Sequence, residues 1–285
     1  MSSNEPITIV IVLYQMKIEE CRTYLTLKKN LASGSIDYQL IFYNNSPEIV
    51  ISETTDYKIF NSKENSKLYG AYNFALKHAI HAGRKWLLLL DQDTEITSEY
   101  INELSQFLKR EHKSNLAAVA PILKEGEKIL SPKIISSVGW WQRDIEGTGY
   151  QRGRISAFNS LTLISVPFIQ SLGGFTAKFP LDMLDHWYYN QMYLQKKEVY
   201  VLNSVIKHSL SLLNYEENIN LTRHVEFLNA ESRFVREELG LLHYFFYKIR
   251  LFLRLIRQLL VFKDKEYPKI TFKRLMKNSQ NDENS

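Results

Sequence analysis

The sequence predicts an α/β fold, with a mostly parallel central sheet flanked by helices and a C-terminal helical extension. Three observations predict it. The runs Ile7–Tyr14 and Trp86–Leu90 are short and almost wholly apolar, as strands buried on both faces are. Segments of helical period alternate with such runs, the pattern of βαβ units with right-handed crossovers. Beyond about residue 238 the composition changes to Leu, Phe, Tyr and Ile interrupted by Lys and Arg.

Taken in order, Ile7–Tyr14 is β-branched and reads as the first strand. Residues 17–33 carry Ile18, Cys21, Leu25 and Leu31 at roughly helical spacing, with Gly34 as the stop. Tyr38–Tyr43 is a second strand running into the turn formers Asn44-Asn45-Ser46-Pro47. Tyr57–Phe60 reads as a short third strand, and Leu68–Ala82 as a helix closed by Gly83. Trp86–Leu90 is the fourth strand. Ser98–His112 follows as a helix with Ile101, Leu104, Phe107 and Leu108 on one side and Ser98 as its N-cap.

Leu116–Ile122 is another strand. Residues 124–155 hold several glycines and the pair Trp140-Trp141, and read as loops with a short antiparallel excursion. Phe158–Val166 reads as a strand, and Pro167–Leu172 as a short helix broken by Gly173-Gly174. Asp182–Gln195 reads as a helix and Val199–Leu202 as the last strand of the sheet. The expected division is an α/β domain over 1–237 and an extension over 238–285, ending in the polar tail Asn278–Ser285.

With 285 residues, 45% hydrophobic and 24% charged, the chain can bury a sizeable core as an ordinary globular protein. Cys21 is the single cysteine, which excludes an internal disulfide framework and a thiol-based metal cluster, and reads as a reducing compartment. The N-terminus lacks the charged-then-apolar pattern of a signal peptide. No stretch reaches the roughly 18 apolar residues of a spanning helix. The formal charge of +5 is modest, and no nucleic-acid partner is expected.

The chemistry centres on Leu90-Asp91-Gln92-Asp93-Thr94. An open α/β sheet places its ligands at strand ends of this kind. Asp91 and Asp93 stand two apart, so a straight strand would point both to one face. Two carboxylates held together repel unless a cation joins them, and Mg²⁺ takes one or two carboxylates plus substrate phosphates. Asp-x-Asp is also common in solvated turns; its place after an apolar strand is what favours the ligand reading.

In this order and spacing, several stretches together resemble a family 2 glycosyltransferase of the GT-A fold. The similarity runs over roughly residues 7–235 and is nearest to rhamnosyltransferase-like members of bacterial cell-surface polysaccharide synthesis. It is carried by the strand ending in Tyr14, Tyr43-Asn44-Asn45-Ser46, Asn65 through Asn73, Leu90-Asp91-Gln92-Asp93-Thr94, Gly173-Gly174-Phe175, Leu181 through Trp187, and His208-Ser209-Leu210-Ser211. The resemblance implies inverting, metal-dependent transfer of a sugar from a nucleoside diphosphate donor, with Mg²⁺ or Mn²⁺. It implies that Asp93 binds the metal, that Asp91 reaches the ribose or a metal-bound water, and that Asp185 is the catalytic base. His208 would be a further metal or diphosphate contact. Asn44 stands where the family often has an aspartate, which leaves the choice of nucleotide open.

On the donor side the resemblance adds Tyr14, Asn65, Asn73 and Gln92. On the acceptor side it adds Asn159, Ser160, Asp182, His186 and Trp187. Asp182 competes with Asp185 for the role of base, since both could lie on one helix face three residues apart. Tyr14 could stack on a nucleobase or be a core tyrosine; His208 could be a ligand or a structural histidine. The Leu-Asp-Gln-Asp-Thr stretch leans towards rhamnose and hence a dTDP donor, with UDP-sugars open. The acceptor would be a glycan or a lipid-linked saccharide.

Leu241–Phe262, followed by six Lys and Arg up to Lys277, reads as a basic amphipathic helix on a membrane surface, reached through 241–277. The location expected is cytoplasmic and peripheral, at the inner face of the cell membrane. Packing onto the catalytic domain, or a homodimer contact, stays open. Two other functions compete. One is a non-catalytic donor-binding partner in a polysaccharide assembly complex. The other is an aspartyl-phosphate phosphatase with Asp91 as nucleophile, against which stand the three strands before the motif and Glu95 at its fifth position.

Overall fold

The computed structural model describes residues 5–31, 36–138, 141–207 and 219–277. The expected metal contact His208 and the aromatic Trp140 lie outside the described residues. The chain forms two compact units: residues 1–134 with 143–208, and residues 135–142 with 209–285.

The first unit is built on a nine-stranded sheet. In chain order its strands and helices are β1 (Ile7–Leu13), α1 (Arg22–Asn30), β2 (Tyr38–Asn44), β3 (Lys58–Asn61), α2 (Lys67–His81), β4 (Trp86–Leu90) and α3 (Ser98–Leu108). There follow β5 (Leu116–Glu125), β6 (Lys128–Ser131), β7 (Lys133–Ile135), β8 (Gln142–Asp144), β9 (Gly149–Gln151), β10 (Ile155–Ser156) and β11 (Thr162–Ser165). The unit closes with α4 (Val166–Ser171), α5 (Leu184–Leu194) and β12 (Glu198–Lys207). The sheet order is β3-β2-β1-β4-β11-β5-β12-β9, with β6 on β5. β1 to β5 and β12 run one way; β6, β9 and β11 run against them. This is the mixed, mostly parallel α/β architecture that the apolar runs predict.

β1 and β4 are the heart of it. Every residue of both strands is buried, and Leu87 to Leu90 expose nothing. Each such leucine contributes about 1.5–3 kcal/mol by leaving water. The sheet winds from β1 to β2 and β3 on one side and continues through β4 on the other, so its topological switch point lies between β1 and β4. A ligand crevice forms at such a point, outside the carboxyl ends of the strands.

Several boundaries differ from the sequence reading, each for a local reason. The single helix expected over 17–33 is a 3-10 turn at Ile18–Glu20 and then α1, because Cys21 between them is extended. α3 is capped by Thr97, whose hydroxyl accepts from Tyr100 N at 3.3 Å, not by Ser98. β11 begins only at Thr162, since Leu161 turns at φ 61°. α5 begins at Leu184, since Met183 is left-handed at φ 65°. Asp182 is therefore outside the helix and does not share a helix face with Asp185.

The second unit is helical: α6 (Leu221–Phe234), α7 (Leu241–Val261) and α8 (Glu266–Met276). Among the described residues no helix is long and apolar enough to cross a membrane. Three of the four cations of α7 are turned inward, away from the exposed basic face that the sequence suggests; Arg257 stays exposed. Lys248 Nζ donates to carbonyls at the end of α8, those of Arg274 and Leu275 in its last turn and Lys277 just past it, at 2.6–3.2 Å. Arg254 makes two bonds of 2.7 and 2.9 Å to the buried carboxylate Glu231, and Arg250 lies 3.8 Å from it.

Candidate active site

β4 stops at Leu90, so Asp91-Gln92-Asp93 is a turn and not strand. The two-residue spacing accordingly does not put both carboxylates on one face. Asp91 is half-buried and Asp93 exposed. The turn is held from α1. Thr23 Oγ1 lies 2.5 Å from Asp91 O and 2.8 Å from Thr94 O, and accepts from Thr94 N at 2.9 Å. Cys21 Sγ donates to Gln92 O at 3.3 Å. The break at Cys21 is what lets the first turn of α1 present these groups.

Gln92 ties the turn to β1. Its Oε1 accepts from Tyr14 N at 2.8 Å, and its Nε2 donates to Tyr14 O at 3.2 Å. The amide is thus engaged with backbone across the switch point, and the ring of Tyr14 stands half exposed beside it, 45% open to solvent. On the other flank Thr94 and Ser160 share a hydroxyl bond of 2.8 Å. Ser160 also bonds the Asp91 carboxyl.

Asp185 opens α5, where a helix N-terminus favours a carboxylate. Its Oδ1 accepts from His186 N at 2.7 Å. The His186 ring nitrogen Nδ1 is 2.6 Å from Ser156 Oγ. Trp187 is buried, and Asp182 and Asn159 are half-buried.

Burial, then the charges of Asp93 and Asp185, push the Asp91 carboxyl up to about 7, while its bond to Ser160 pulls the other way. Asp93 and Asp185 therefore act on the Asp91 carboxyl through space. None of the three forms an ion pair among the described residues.

The expected asparagines occupy different places. Asn44 is fully buried and holds the turn after β2: its Oδ1 accepts from Ser46 N at 3.0 Å, and its Nδ2 donates to Asn61 Oδ1 at 3.0 Å and to Ile49 O. Asn73 bonds both backbone groups of Phe175, at 2.9 and 3.0 Å, so it fastens α2 to the chain after Gly173-Gly174. Asn65 is exposed and accepts from Lys67 N at 3.0 Å. The residue that reaches the start of α2 from β2 is Asn45, whose side chain bonds Ser66 N and Lys67 O at 3.0 and 3.1 Å.

Two features at the site were not marked by sequence. Tyr72 on α2 is fully buried, and its hydroxyl has no hydrogen-bond partner among the described residues. Burial first, and then the charges of Asp91 and Asp185, hold its pKa well above the ordinary phenol value. Local strain is the other. Gln15, Lys67, Leu161 and Met183 all have positive φ without being glycine, at the end of β1, the start of α2, the start of β11 and the start of α5. Such strain costs about 1–3 kcal/mol each and concentrates at ligand sites.

Asp91 lies in the field of Asp93 and Asp185, and oxygen donors of this kind suit a divalent oxygen-seeking cation. Among the described residues no group of three or more His, Cys, Asp or Glu is arranged to hold a metal by itself. Asp93 is exposed in the turn that follows β4.

The sequence profile of the family described as "Glycosyl transferase family 2" matches residues 9–162, more than half of the chain. The chain belongs to glycosyl transferase family 2. A search against curated proteins finds no match. Solved structures resemble the fold. The crystal structure of S. aureus TarS 1–349 is similar at TM-score 0.51 and 14% identity, over 95% of this chain and 81% of that one. The crystal structure of GalNAc-T7 with UDP, GalNAc and Mn²⁺ is similar at TM-score 0.57 and 12% identity, over 94% of this chain and 54% of that one. The match spans about half of the latter's length. The fold is that of a GT-A glycosyltransferase, and the matched residues run from β1 through β4 to the first residue of β11.

Proposed function

We propose that this family 2 glycosyltransferase moves a sugar with inversion from a nucleoside diphosphate donor to a glycan or lipid-linked saccharide. The observation that carries the reading is the group Asp91, Asp93 and Asp185: the last two act on the first, and none of the three has an ion-pair partner among the described residues. A like-charged cluster of this kind is what a cation and a pyrophosphate would complete. A structural neighbour whose crystals hold UDP, GalNAc and Mn²⁺ supports the same ligand chemistry.

In this reading Asp93 binds the divalent cation, Mg²⁺ or Mn²⁺. Bound there, the cation would neutralise charge on the leaving diphosphate as a Lewis acid. Asp185 takes the proton of the attacking acceptor hydroxyl, and one such base is enough for inversion at the anomeric carbon. Gln92 positions Tyr14, whose exposed ring is free to stack on a base. Asn44 and Asn73 shape the cleft through backbone bonds. The missing family aspartate at Asn44 then bears on the turn after β2, and the base is read elsewhere. Asn159, Ser160, Asp182, His186 and Trp187 line or support the acceptor side, and His208 adds a contact to the metal or diphosphate.

Rhamnose on dTDP is the donor to try first, because the Leu-Asp-Gln-Asp-Thr stretch favours it; UDP-sugars come second. The acceptor is met at the inner face of the cell membrane, in cell-surface polysaccharide synthesis. A thermal-shift screen of nucleoside diphosphates with and without Mn²⁺ tests the reading, since a ligand of the native state raises apparent stability. The expected result is a shift that needs both nucleotide and metal and disappears in Asp93→Asn. No shift with any nucleotide would sink it.

A further inference from the structure

α7 carries an exposed stripe with no polar residue in it. Leu242, Phe245, Ile249, Phe252, Ile256 and Leu260 recur at helical spacing, and Phe245 and Phe252 are 61% and 50% exposed. At 3.6 residues per turn these positions cover about a third of the circumference. Large apolar side chains in one continuous exposed row mark an interaction surface and not a normal scatter. The buried face, Tyr244, Tyr247, Leu251 and Leu255, is already packed, so the stripe is a second apolar face on the same helix.

The occupant is set by charge. Residues 241–277 hold ten Lys and Arg against two acids, a net of 10 − 2 = +8. Lys248, Arg250 and Arg254 are turned inward to carbonyls and Glu231. Arg257 next to the stripe, Lys263 just past its end and Lys273 on α8 are exposed. A second copy of the chain would bring the same exposed cations, Arg257 and Lys263, against these, which opposes self-association through this face. An anionic lipid surface matches both features: acyl chains for the stripe, headgroups for the cations beside it. α7 is not apolar enough to span a bilayer, so it would lie in the interface plane.

We infer that α7 docks the chain on an anionic membrane by inserting this stripe, with apolar burial and not cation count as the main driving force. The inference depends on no step of sugar transfer. Its consequence is unusual for a basic segment: binding persists when salt screens the charges.

The experiment is co-sedimentation of the full chain with phosphatidylcholine vesicles, with and without phosphatidylglycerol, at low and high salt. Binding is expected on the phosphatidylglycerol vesicles, and most of it should survive high salt. The double variant Phe245→Ser, Phe252→Ser should lower the partition coefficient by on the order of a hundredfold. Arg257→Ala with Lys273→Ala should lower it by on the order of tenfold, and only at low salt. Both variants lie on exposed positions, and circular dichroism with the nucleotide thermal shift checks that each is folded and loads its other site. Absence of wild-type binding, unchanged binding in the Phe double variant, or complete release by salt would overturn the inference. So would a concentration-dependent dimer in sedimentation velocity that the Phe double variant abolishes, since the stripe would then belong to a second copy.

Discussion

At the end of β4 the Asp91 carboxyl feels Asp93 and Asp185, and none of the three has an ion-pair partner among the described residues. In the helical unit the reverse holds: Glu231 is gripped by Arg254 and approached by Arg250, and Lys248 closes the end of α8. There these three cations meet internal partners, and a stripe of apolar surface stays uncovered. Each region lacks something different, negative-charge compensation in one and water exclusion in the other. The comparison teaches that an unmet requirement, more than a packed contact, points to what a surface binds. A stable protein tolerates one or two such debts because its core supplies stability elsewhere.

The sharpest way to break the contrast is at the open end. Asp185→Asn removes a base while keeping shape and hydrogen-bonding length. Sugar transfer should fall by about 10²–10⁴-fold, with nucleotide-and-metal stabilisation retained. Transfer assayed as release of nucleoside diphosphate checks it. An unimpaired variant would remove Asp185 from the chemistry and leave the cluster a binding site alone.

The closed end should break differently. Glu231→Gln leaves the guanidinium of Arg254 without its carboxylate partner, with 28% of that side chain exposed. Losing one member of a buried pair costs about 3 kcal/mol at the low end, and that partial exposure argues for the low end. Urea unfolding measures it. A cost under about 0.5 kcal/mol would mean that the pair behaves as a surface bridge, and the helical unit would then be less self-contained than its geometry implies.

How much of this is legible in sequence depends on range. β1, β4 and the carboxylates after β4 are legible because an apolar run and its end are local. The helix over α7 is legible by period. The direction of its cations is not, because their partners lie 23–29 residues away, on α6 and at the end of α8. Asn73 reads as a donor contact, and its amide is engaged by Phe175, 102 residues on. Asn44 likewise spends its amide on groups of the β2–β3 connection. A buried amide serves distant backbone, and nothing local announces it. The left-handed Met183, which detaches Asp182 from α5, is equally silent, since methionine carries no preference for that conformation.

The two regions should also respond oppositely to pH. The Asp91 carboxyl is raised to about 7, chiefly by burial, so the folded chain holds that proton more tightly than the unfolded one. Its stabilisation is complete below about pH 4 and is lost as pH rises through about 7. His224 is pushed down to about 4, chiefly by burial and then by Arg254. Its stabilisation is present above about pH 6.5 and is lost as pH falls through about 4. In thermal unfolding without metal, Asp91→Asn should therefore raise stability at pH 8 and do little at pH 4. His224→Gln should flatten the acid limb only. Curves parallel to wild type across the whole range would refute both assignments.

The smallest effect separates stability from function at one atom. The Tyr72 hydroxyl is buried and unpartnered, under the influence of Asp91 and Asp185. An unmet buried donor costs about 1–3 kcal/mol. Tyr72→Phe keeps the ring against Phe175, whose centroid is 5.2 Å away. The free protein should therefore gain about 1 kcal/mol, a rise of roughly 2–4 °C in Tm for a unit of this size. If the hydroxyl finds its partner once nucleotide and metal fill the cleft, the ligand-induced shift should shrink by a similar amount. A gain in Tm with an unchanged ligand shift would make Tyr72 a core residue with a tolerated flaw. A loss in Tm would mean that the hydroxyl already has a partner in the free protein.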